Sequence, residues 1–175
     1  FVGSFHPRKN LARLMKAFDI FRDNSTDHHK LVIVGEKMFM TGDIDKTYAR
    51  LKHKGEIVFT GRLSPEKLSE GMGAASGLTF VPLFEGFGIP LLEAMNCDIP
   101  ILTSNTTSLP EIAGKSAIYC DPTDIQDISK GMLSLATQSE LNKALVSEGR
   151  IRRTSFSWDI TAEKVWKSLL KIMPA

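Results

Sequence analysis

Cysteines, long hydrophobic runs and an excess of charge of either sign are all scarce in this sequence. Cys97 and Cys120 are the two cysteines among 175 residues, and their spacing matches neither a C-x-x-C pair nor a zinc site. This excludes a disulfide-rich secreted scaffold and favours a reducing compartment. No apolar run approaches the roughly 18 residues that a membrane span requires. We therefore expect a soluble protein of the cytoplasm.

The balance of charge argues against nucleic acid as a partner. The chain has 22 Lys and Arg against 20 Asp and Glu, a formal net charge of +2. So small an excess creates no broad basic surface of the kind that attracts a nucleic acid backbone. A site for an anion must therefore be local, built by a few residues at one place in the fold.

Length and composition indicate one globular domain. With 42% apolar residues, a chain of this size buries roughly two thirds of the surface that its unfolded form exposes, so it needs neither disulfides nor a structural metal. The sequence shows no repeat, low-complexity tract or linker. It opens on Phe1-Val2-Gly3, in a predicted strand without an initiator Met or a leader. We expect residues 1–175 to be a single domain excised from a longer protein.

Short strand patterns alternate with helical patterns along the chain. The predicted strands are apolar and rich in β-branched residues: Phe1–Phe5, Lys30–Val34, Ile57–Thr60, Leu78–Val81, Ile99–Thr103 and Ser116–Tyr119. The predicted helices carry apolar residues at helical spacing: Asn10–Asn24, Asp43–His53, Pro65–Ala75, Ile89–Asn96, Asp124–Thr137, Ser139–Thr154 and Trp158–Ile172, with Ser64 and Asp43 as N-caps. The alternation predicts an α/β fold, a parallel sheet of about six strands with helices on both faces and ligands beyond the carboxyl ends of the strands.

The loop after the first predicted strand contains two adjacent cations at the start of a helix. It has neither the glycine pattern of a dinucleotide site nor that of a P-loop. Arg8 and Lys9 lie where the helix dipole is already positive and cations are mildly destabilising. An anionic ligand such as a phosphate would account for both cations, because it also binds free N–H groups at a helix start. The alternative is a solvated basic turn.

The segment Val81–Met95 carries the strongest signal in the chain. Gly86 and Gly88 allow close approach of the backbone to a ligand, and Pro90 falls in the first turn of a helix, where its missing N–H costs nothing. That helix is apolar except for Glu93, which must accept hydrogen bonds from backbone, from Arg or Lys, or from ligand hydroxyls such as those of a sugar. Glu85 is either functional or a solvated loop acid.

Three further loops follow predicted strands and carry weaker signals. The Ser108-x-x-Glu111 spacing fits a capping box, and helix capping alone explains it. The segments 60–65 and 35–36 are candidates for the edge of a cleft by position only.

Glu85 and Glu93 are separated by seven residues in Glu-Gly-Phe-Gly-Ile-Pro-Leu-Leu-Glu-Ala-Met. This segment resembles the E-x7-E signature of retaining group 1 glycosyltransferases (family GT4). The resemblance extends over the rest of the chain, through the motifs Phe1-Val2-Gly3, Arg8-Lys9-Asn10, Val58-Phe59-Thr60-Gly61, Ser108-Leu109-Pro110-Glu111 and Phe156-Ser157-Trp158. It implies the C-terminal half of a GT-B fold, a Rossmann-like domain that binds the nucleotide-sugar donor, with the N-terminal acceptor domain absent from this chain.

The resemblance also implies roles for individual residues. Glu85, Lys9 and Arg8 would carry the chemistry, with Lys9 and Arg8 on the donor diphosphate and Glu85 facing the transferred hexose near its anomeric carbon. Glu93 would bind the ribose hydroxyls, and Arg62 and Leu63 would meet the base. The backbone along the sugar and the distal phosphate would come from Gly86, Phe87, Gly88, Ile89, Pro90 and Leu91. Ser4 stands where many relatives have Arg, so either Arg8 supplies that charge or phosphate binding is weaker.

The implied reaction moves a hexose from a nucleoside-diphosphate sugar to an acceptor hydroxyl with retention. GDP-mannose is the first expectation for the donor and a UDP-sugar the second. No cofactor or metal is expected, because preorganised cations and N–H dipoles can neutralise the charge of the leaving group. Asp43-Ile44-Asp45 formally spells a metal-binding D-x-D, but it begins a predicted helix, where it fits a cap. Glu85 is either a nucleophile or a group that stabilises charge or binds a hydroxyl. The full-length enzyme would lie in the cytoplasm or at the inner face of the membrane and reach a membrane-surface acceptor through its missing domain.

Other functions fit part of the sequence. A non-catalytic nucleotide-sugar binding module and a sugar-nucleotide epimerase of the same architecture are the main alternatives, whereas the missing glycine fingerprint argues against a nicotinamide oxidoreductase. The isolated domain is expected to be inactive. Its last helix carries an apolar face that we expect either to fold back on the sheet or to contact another copy: Trp158, Ala162, Val165, Trp166, Leu169, Leu170 and Met173.

Overall fold

A computed structural model describes residues 1–36 and 42–172. Within these ranges the strands are β1 (Leu31–Val34), β2 (Ile57–Gly61), β3 (Leu78–Phe80), β4 (Ile101–Ser104) and β5 (Ala117–Cys120). The helices are α1 (Leu11–Asn24), α2 (Gly42–Arg50), α3 (Pro65–Gly73), α4 (Ile89–Asn96), α5 (Leu109–Ala113), α6 (Ile125–Thr137), α7 (Ser139–Arg153) and α8 (Trp158–Leu170). Short 3-10 helices occur at Pro7–Lys9 and Lys54–Glu56.

All five described strands are paired in parallel, as the alternation of strands and helices predicts. They form two sheets, one of β1 and β2 and the other in the order β3-β4-β5. Every residue of β3 and β4 is buried, so helices cover both faces of that sheet. In β2, by contrast, the side chains of Val58 and Phe59 are partly exposed. The described part of the chain is therefore an α/β domain whose central strands are enclosed by helices.

The first predicted strand, Phe1–Phe5, is reduced to one parallel bridge between Val2 and Val34. The two backbones cross closely at Gly3, which has a φ of 146°: a Cβ on Gly35 would lie 2.0 Å from the Gly3 carbonyl oxygen. Single hydrogen bonds continue on either side of this crossing, from the Gly3 amide to Val34 and from the Phe5 amide to Glu36. The five strands form two separate sheets, and a mainly apolar groove of about 600 Å³ is lined by residues of β1 and β3 together with Phe1 and Val2. The prediction of a strand over Phe1–Phe5 is therefore wrong in extent, although the segment does run parallel to β1.

The hydrophobic core joins the helices to the three-stranded sheet. α1 packs against α6, α6 contacts β4 and β5, and α4 packs against β3 and α7. Gly131 of α6 allows this close packing, because a Cβ there would lie 2.4 Å from Cδ1 of Leu102. Because α1 packs on α6, the close contact of α6 with β4 also sets the position of α1 and of the loop that precedes it.

Most helix bounds agree with the sequence patterns, and α4 begins and ends at the predicted residues. The Ser64 cap is confirmed, since its Oγ accepts a hydrogen bond from the Lys67 amide at 3.4 Å. The Asp43 cap is wrong, because Asp43 is the second residue of α2 rather than the residue before it. Patterning missed α5, which has only five residues.

The last helix does not fold back on the sheet. None of the residues of α8 is buried, and Trp158 is 85% exposed. The residues of β3 and β4 are buried without any contribution from α8. The expected packing is therefore wrong for the described residues of α8, while contact with another copy stays a prediction. Met173 lies outside the described residues.

Asn10 connects the loop before α1 to the carboxyl ends of two strands. Its backbone is left-handed, with a φ of 62°, and its side chain is buried. The Nδ2 group donates hydrogen bonds to the carbonyl oxygens of Val81, at 2.9 Å, and Pro122, at 2.7 Å. Arg13 Nη1 donates to Asn10 Oδ1 at 3.1 Å. One amide thereby holds together the chain segments that follow β3 and β5 and that precede α1.

We expect Asn10→Gly to lower the free energy of unfolding by about 2–4 kcal/mol, because two buried carbonyl groups lose their donor. Asn10→Ala should cost roughly 1 kcal/mol more, since Ala also resists the left-handed backbone that Gly accepts. Urea unfolding of both variants and the unchanged protein measures the two contributions separately. An Asn10→Ala value within about 0.5 kcal/mol of the unchanged protein would contradict this role.

Candidate functional site

Arg8 and Lys9 reach the site through the 3-10 helix Pro7–Lys9. The His6 ring caps this turn, with Nδ1 accepting a hydrogen bond from the Arg8 amide at 3.2 Å, and Pro7 occupies its first position. The Arg8 carbonyl oxygen then accepts a hydrogen bond from the Leu83 amide at 2.8 Å. This main-chain contact brings the two cations beside the segment that connects β3 to α4.

Both cations contact one carboxylate, and we call Arg8, Lys9 and Glu85 the charged cluster. Lys9 Nζ and Arg8 Nη1 each form an ion pair with Oε2 of Glu85, the latter at 3.2 Å. Arg8 Nη1 also donates to the Phe84 carbonyl oxygen at 3.3 Å. The Lys9 side chain is 10% exposed and that of Glu85 15%. The alternatives of a solvated basic turn and a solvated loop acid are therefore wrong for Lys9 and Glu85, whereas Arg8 is 42% exposed and the first alternative stays open for it.

The surroundings of Lys9 lower the cost of burying its charge. Nζ lies 4.9 Å from the centroid of the Phe80 ring, a favourable position for a cation over an aromatic face. The aliphatic stem of Lys9 passes beside Gly3, where a Cβ would lie at ordinary contact distance, 3.6 Å from Lys9 Cε. A buried ammonium requires an anionic or π-electron partner, and here it has one of each.

The loop between β3 and α4 has the close backbone turns that its glycines predict. Gly88 has a φ of 104°, and a Cβ there would lie 2.8 Å from Cδ2 of Leu109. Pro90 lies in the first turn of α4, as expected. Phe87 and Ile89 are exposed, whereas the Leu91 side chain is fully buried in the core. Of the predicted donor-binding residues, Leu91 can therefore contribute only through its main chain.

Ser108 anchors this loop instead of capping its own helix. Its Oγ donates to the carbonyl oxygens of Glu85, at 2.9 Å, and Phe87, at 3.2 Å, and it makes no capping bond to α5. The capping-box interpretation is therefore wrong. The spacing to Glu111 fits a cap, but the hydroxyl satisfies carbonyl groups that the turn of the loop leaves unpaired.

Glu93 lies half-buried on α4, and none of residues 1–36 and 42–172 donates a hydrogen bond to its carboxylate. Burial raises the pKa of the Glu93 carboxyl above its ordinary value of 4.5. Of the three kinds of donor expected for this carboxylate, backbone and cationic side chains are thus not provided by the described residues. Binding of ligand hydroxyls by Glu93 stays a prediction.

Arg62 and Leu63, the residues predicted to contact the base, make no polar contact with the charged cluster. They follow β2, in the two-stranded sheet; Arg62 is exposed and Leu63 is half-buried at the groove between the sheets. Neither forms a hydrogen bond or ion pair with the charged cluster. The cleft-edge candidate Gly35 contacts Gly3, as described above, and the Glu36 carbonyl oxygen accepts a hydrogen bond from the Phe5 amide at 3.0 Å.

Within residues 1–36 and 42–172, no three His, Cys, Asp or Glu side chains are grouped so that they could hold a metal ion. Asp43 and Asp45 lie in the first turn of α2, and the side chain of Ile44, the residue between them, is buried.

Among the helices in these ranges, none has the length and apolarity to cross a membrane. Burial raises the pKa of the Cys120 thiol to about 12, so it is not a nucleophile at neutral pH.

A family model for "Glycosyl transferases group 1" matches residues 1–152. The chain belongs to the group 1 glycosyltransferases. The O-antigen chain mannosyltransferase B of Escherichia coli is 29% identical over 159 residues, which are 91% of this chain and 42% of that protein. A serotype-specific mannosyltransferase WbdA of the same species is 36% identical over 165 residues, covering 92% of this chain and 20% of its own. The group 1 domain thus spans less than half the length of these relatives.

Solved structures support the same fold. The group 1 domain superposes on the C-terminal domain of a group 1 glycosyl transferase (LpcC) from Francisella tularensis with a TM-score of 0.76 and 22% identity, over 89% of this chain and 82% of that one. The Anabaena protein HepE, in a crystal structure with UDP, has a TM-score of 0.83 at 17% identity and covers 98% of this chain and 48% of its own. The domain therefore has the fold of the C-terminal half of a GT-B protein.

Two residues that shape the site escaped the sequence analysis. In the sequence, Asn10 is part of a basic motif and the first residue of a predicted helix, and its side chain is given no role, although an Asn just before a helix is compatible with a left-handed backbone. Ser108 stands out only as the first residue of a capping-box pattern, which predicts a contact with its own helix. Both act through carbonyl groups distant in the chain, which no local spacing reveals.

Ser108→Ala should lower the free energy of unfolding by about 1 kcal/mol, because the Glu85 and Phe87 carbonyl groups lose a neutral hydrogen bond. Ser108→Thr retains the hydroxyl and is the matched control, which we expect to lose less than half as much. Urea unfolding measures both. Equal losses in the two variants would show that the hydroxyl does not anchor the loop.

Glu93→Gln should stabilise the ligand-free domain at neutral pH. Because the folded-state pKa of Glu93 lies above the unfolded value of 4.5, the ionised carboxylate opposes folding; this cost is absent below that value, grows as pH rises and is complete above the raised pKa. Melting temperatures from about pH 4 to about pH 8 should therefore show a growing advantage of the variant. A constant difference, or a more stable unchanged protein at the upper end, would contradict the assignment.

Proposed function

We propose that this domain binds the nucleoside-diphosphate part of a nucleotide sugar and, within a longer protein, supports transfer of the hexose to an acceptor hydroxyl with retention. The observation that carries the proposal is the convergence of Lys9 and Arg8 on one point beside the loop that opens α4. A largely buried ammonium and a half-exposed guanidinium at the carboxyl ends of parallel strands form a site suited to a multivalent anion.

The diphosphate would bind between these cations and the start of α4. Free backbone amides at a helix start and the helix dipole both favour a phosphate there. The main chain of residues 86–91 would lie along the sugar and the distal phosphate, with Pro90 contributing no donor. In the family that the motifs resemble, many members have Arg at the position of Ser4; Arg8, whose side chain is 42% exposed, would supply that charge here.

The nucleoside would extend from the diphosphate towards Glu93 and the end of β2. A half-buried carboxylate without a protein donor among the described residues has free acceptor capacity for the two ribose hydroxyls. Arg62 and Leu63 would contact the base. Arg62 offers an exposed polar group and Leu63 a half-buried apolar group at the end of β2. We assign the whole of residues 1–175 to this one donor-binding unit.

Departure of the nucleoside diphosphate leaves positive charge at the anomeric carbon and negative charge on the leaving group. Preorganised cations and N–H groups stabilise such a leaving group without a metal, and one such donor contributes about 3 kcal/mol in well-studied sites. Glu85 would face the anomeric carbon. It would act either as a nucleophile in a double displacement, which needs close approach to that carbon, or as a group that stabilises charge during attack from the same face.

The relatives guide the choice of donor. Several are named mannosyltransferases, so GDP-mannose is the first donor to test. The Anabaena protein forms a complex with UDP-glucose, so UDP-sugars come next. The acceptor would be bound by an N-terminal domain outside this chain and would lie at a membrane surface, so we expect residues 1–175 alone to bind donor without transferring sugar.

Nucleotide binding tests the proposal directly. Isothermal titration of the 175-residue chain with UDP, GDP and ADP should show saturable binding to at least one of them. Lys9→Ala should weaken it about ten- to a hundredfold, the loss expected of one charge-assisted contact. Lys130→Ala, which removes an exposed lysine from α6, is the matched control and should bind as the unchanged chain does. Circular dichroism verifies that Lys9→Ala is folded. Failure of all three nucleotides to bind at millimolar concentration would refute the proposal.

A further inference from the structure

Glu85 occupies the cations that the proposed function assigns to the diphosphate. One oxygen, Oε2, contacts both Lys9 Nζ and Arg8 Nη1. We infer, building on the proposed function, that Glu85 is an internal competitor of the nucleoside diphosphate: its carboxylate holds the cations in the free domain, yields them to an incoming donor, and reclaims them to promote product release.

The cations cannot serve both anions at full strength. Lys9 Nζ has three donors, and one side of it faces the Phe80 ring, so few directions remain open for a second anion. If Glu85 stayed in place, its carboxylate and the bound diphosphate would repel each other. The repulsion would be strong because the region is largely shielded from water. Binding of the diphosphate therefore requires that Glu85 move away from Lys9.

The loop permits that movement without unfolding. The Glu85 main chain is held by Ser108 Oγ on its carbonyl oxygen at 2.9 Å, and Leu83, two residues earlier, is held by the Arg8 carbonyl oxygen at 2.8 Å. On the other side, Gly86 is exposed and has no atom within 4 Å of a built Cβ. The exchange is thus a rotation of the Glu85 side chain about an anchored backbone.

The sugar distinguishes donor from product. A released carboxylate can accept hydrogen bonds from the hydroxyl groups of a bound hexose, which compensates for the lost ion pairs. A nucleoside diphosphate without its sugar offers no such compensation. Glu85 therefore favours the intact donor over the spent nucleotide, and its return to Lys9 after transfer weakens the hold on the leaving group.

The test compares Glu85→Gln with the unchanged 175-residue chain by isothermal titration, using UDP, GDP, UDP-glucose and GDP-mannose. Glu85→Gln keeps the size of the side chain and removes its charge. We expect the nucleoside diphosphate to bind roughly tenfold more tightly, equal to about 1.4 kcal/mol. The matching nucleotide sugar should gain less or lose affinity, so the preference for donor over product falls. Glu148→Gln, an exposed residue of α7, makes the same change of net charge and should change neither affinity.

The outcomes separate this inference from the proposed function. If Lys9→Ala weakens nucleotide binding while Glu85→Gln leaves the nucleoside diphosphate unchanged or weaker, the competitor role is overturned and the proposed function stands. If Glu148→Gln tightens binding as much as Glu85→Gln does, the effect is general charge and the inference also fails. If no nucleotide binds to any variant, both fail. Glu85→Ala provides a second variant with the same expected direction, should Glu85→Gln unfold.

Discussion

The Asn10 amide is the contact on which the site depends. Three chain segments arrive at one edge of the structure from different elements, and a parallel sheet by itself aligns only the ends of its strands. Asn10 donates to carbonyl oxygens after β3 and after β5 while its own left-handed backbone turns the chain into α1. The packing of α1 on α6 holds this residue in register with the sheet. The cations preceding Asn10 are positioned as a result.

Burial of Lys9 is the second constraint, and it explains the chemistry available at this edge. A shielded ammonium must have compensation, and the domain provides an aromatic face and a carboxylate. The aromatic face is part of the core and cannot leave, whereas the carboxylate is attached to a loop next to a glycine. The fixed partner keeps the cation in place, and the exchangeable partner allows another anion to take its position.

Two features of the domain, the Glu93 carboxylate and the apolar face of α8, are only partly covered by the described residues. Glu93 keeps a half-buried carboxylate without a protein donor among the described residues, which raises its pKa and costs folding free energy at neutral pH. α8 presents both tryptophans of the chain to solvent. A ligand that donates hydrogen bonds to Glu93, or a surface that covers α8, would stabilise the folded domain because it binds the folded state alone.

The sequence by itself determined the parallel α/β class and the bounds of α4, because hydrophobic periodicity, Gly88 and Pro90 act within a few residues. It also placed Arg8, Lys9 and Glu85 in segments that connect strands to helices, and Glu93 on α4. Tertiary structure decided the rest. It shortened the first strand at the Gly3 and Gly35 crossing, assigned the Ser108 hydroxyl to carbonyl groups about 20 residues away in place of its own helix and left α8 uncovered. These outcomes depend on which distant groups compete for a partner and on which surfaces are already filled, and neither quantity is encoded in local spacing.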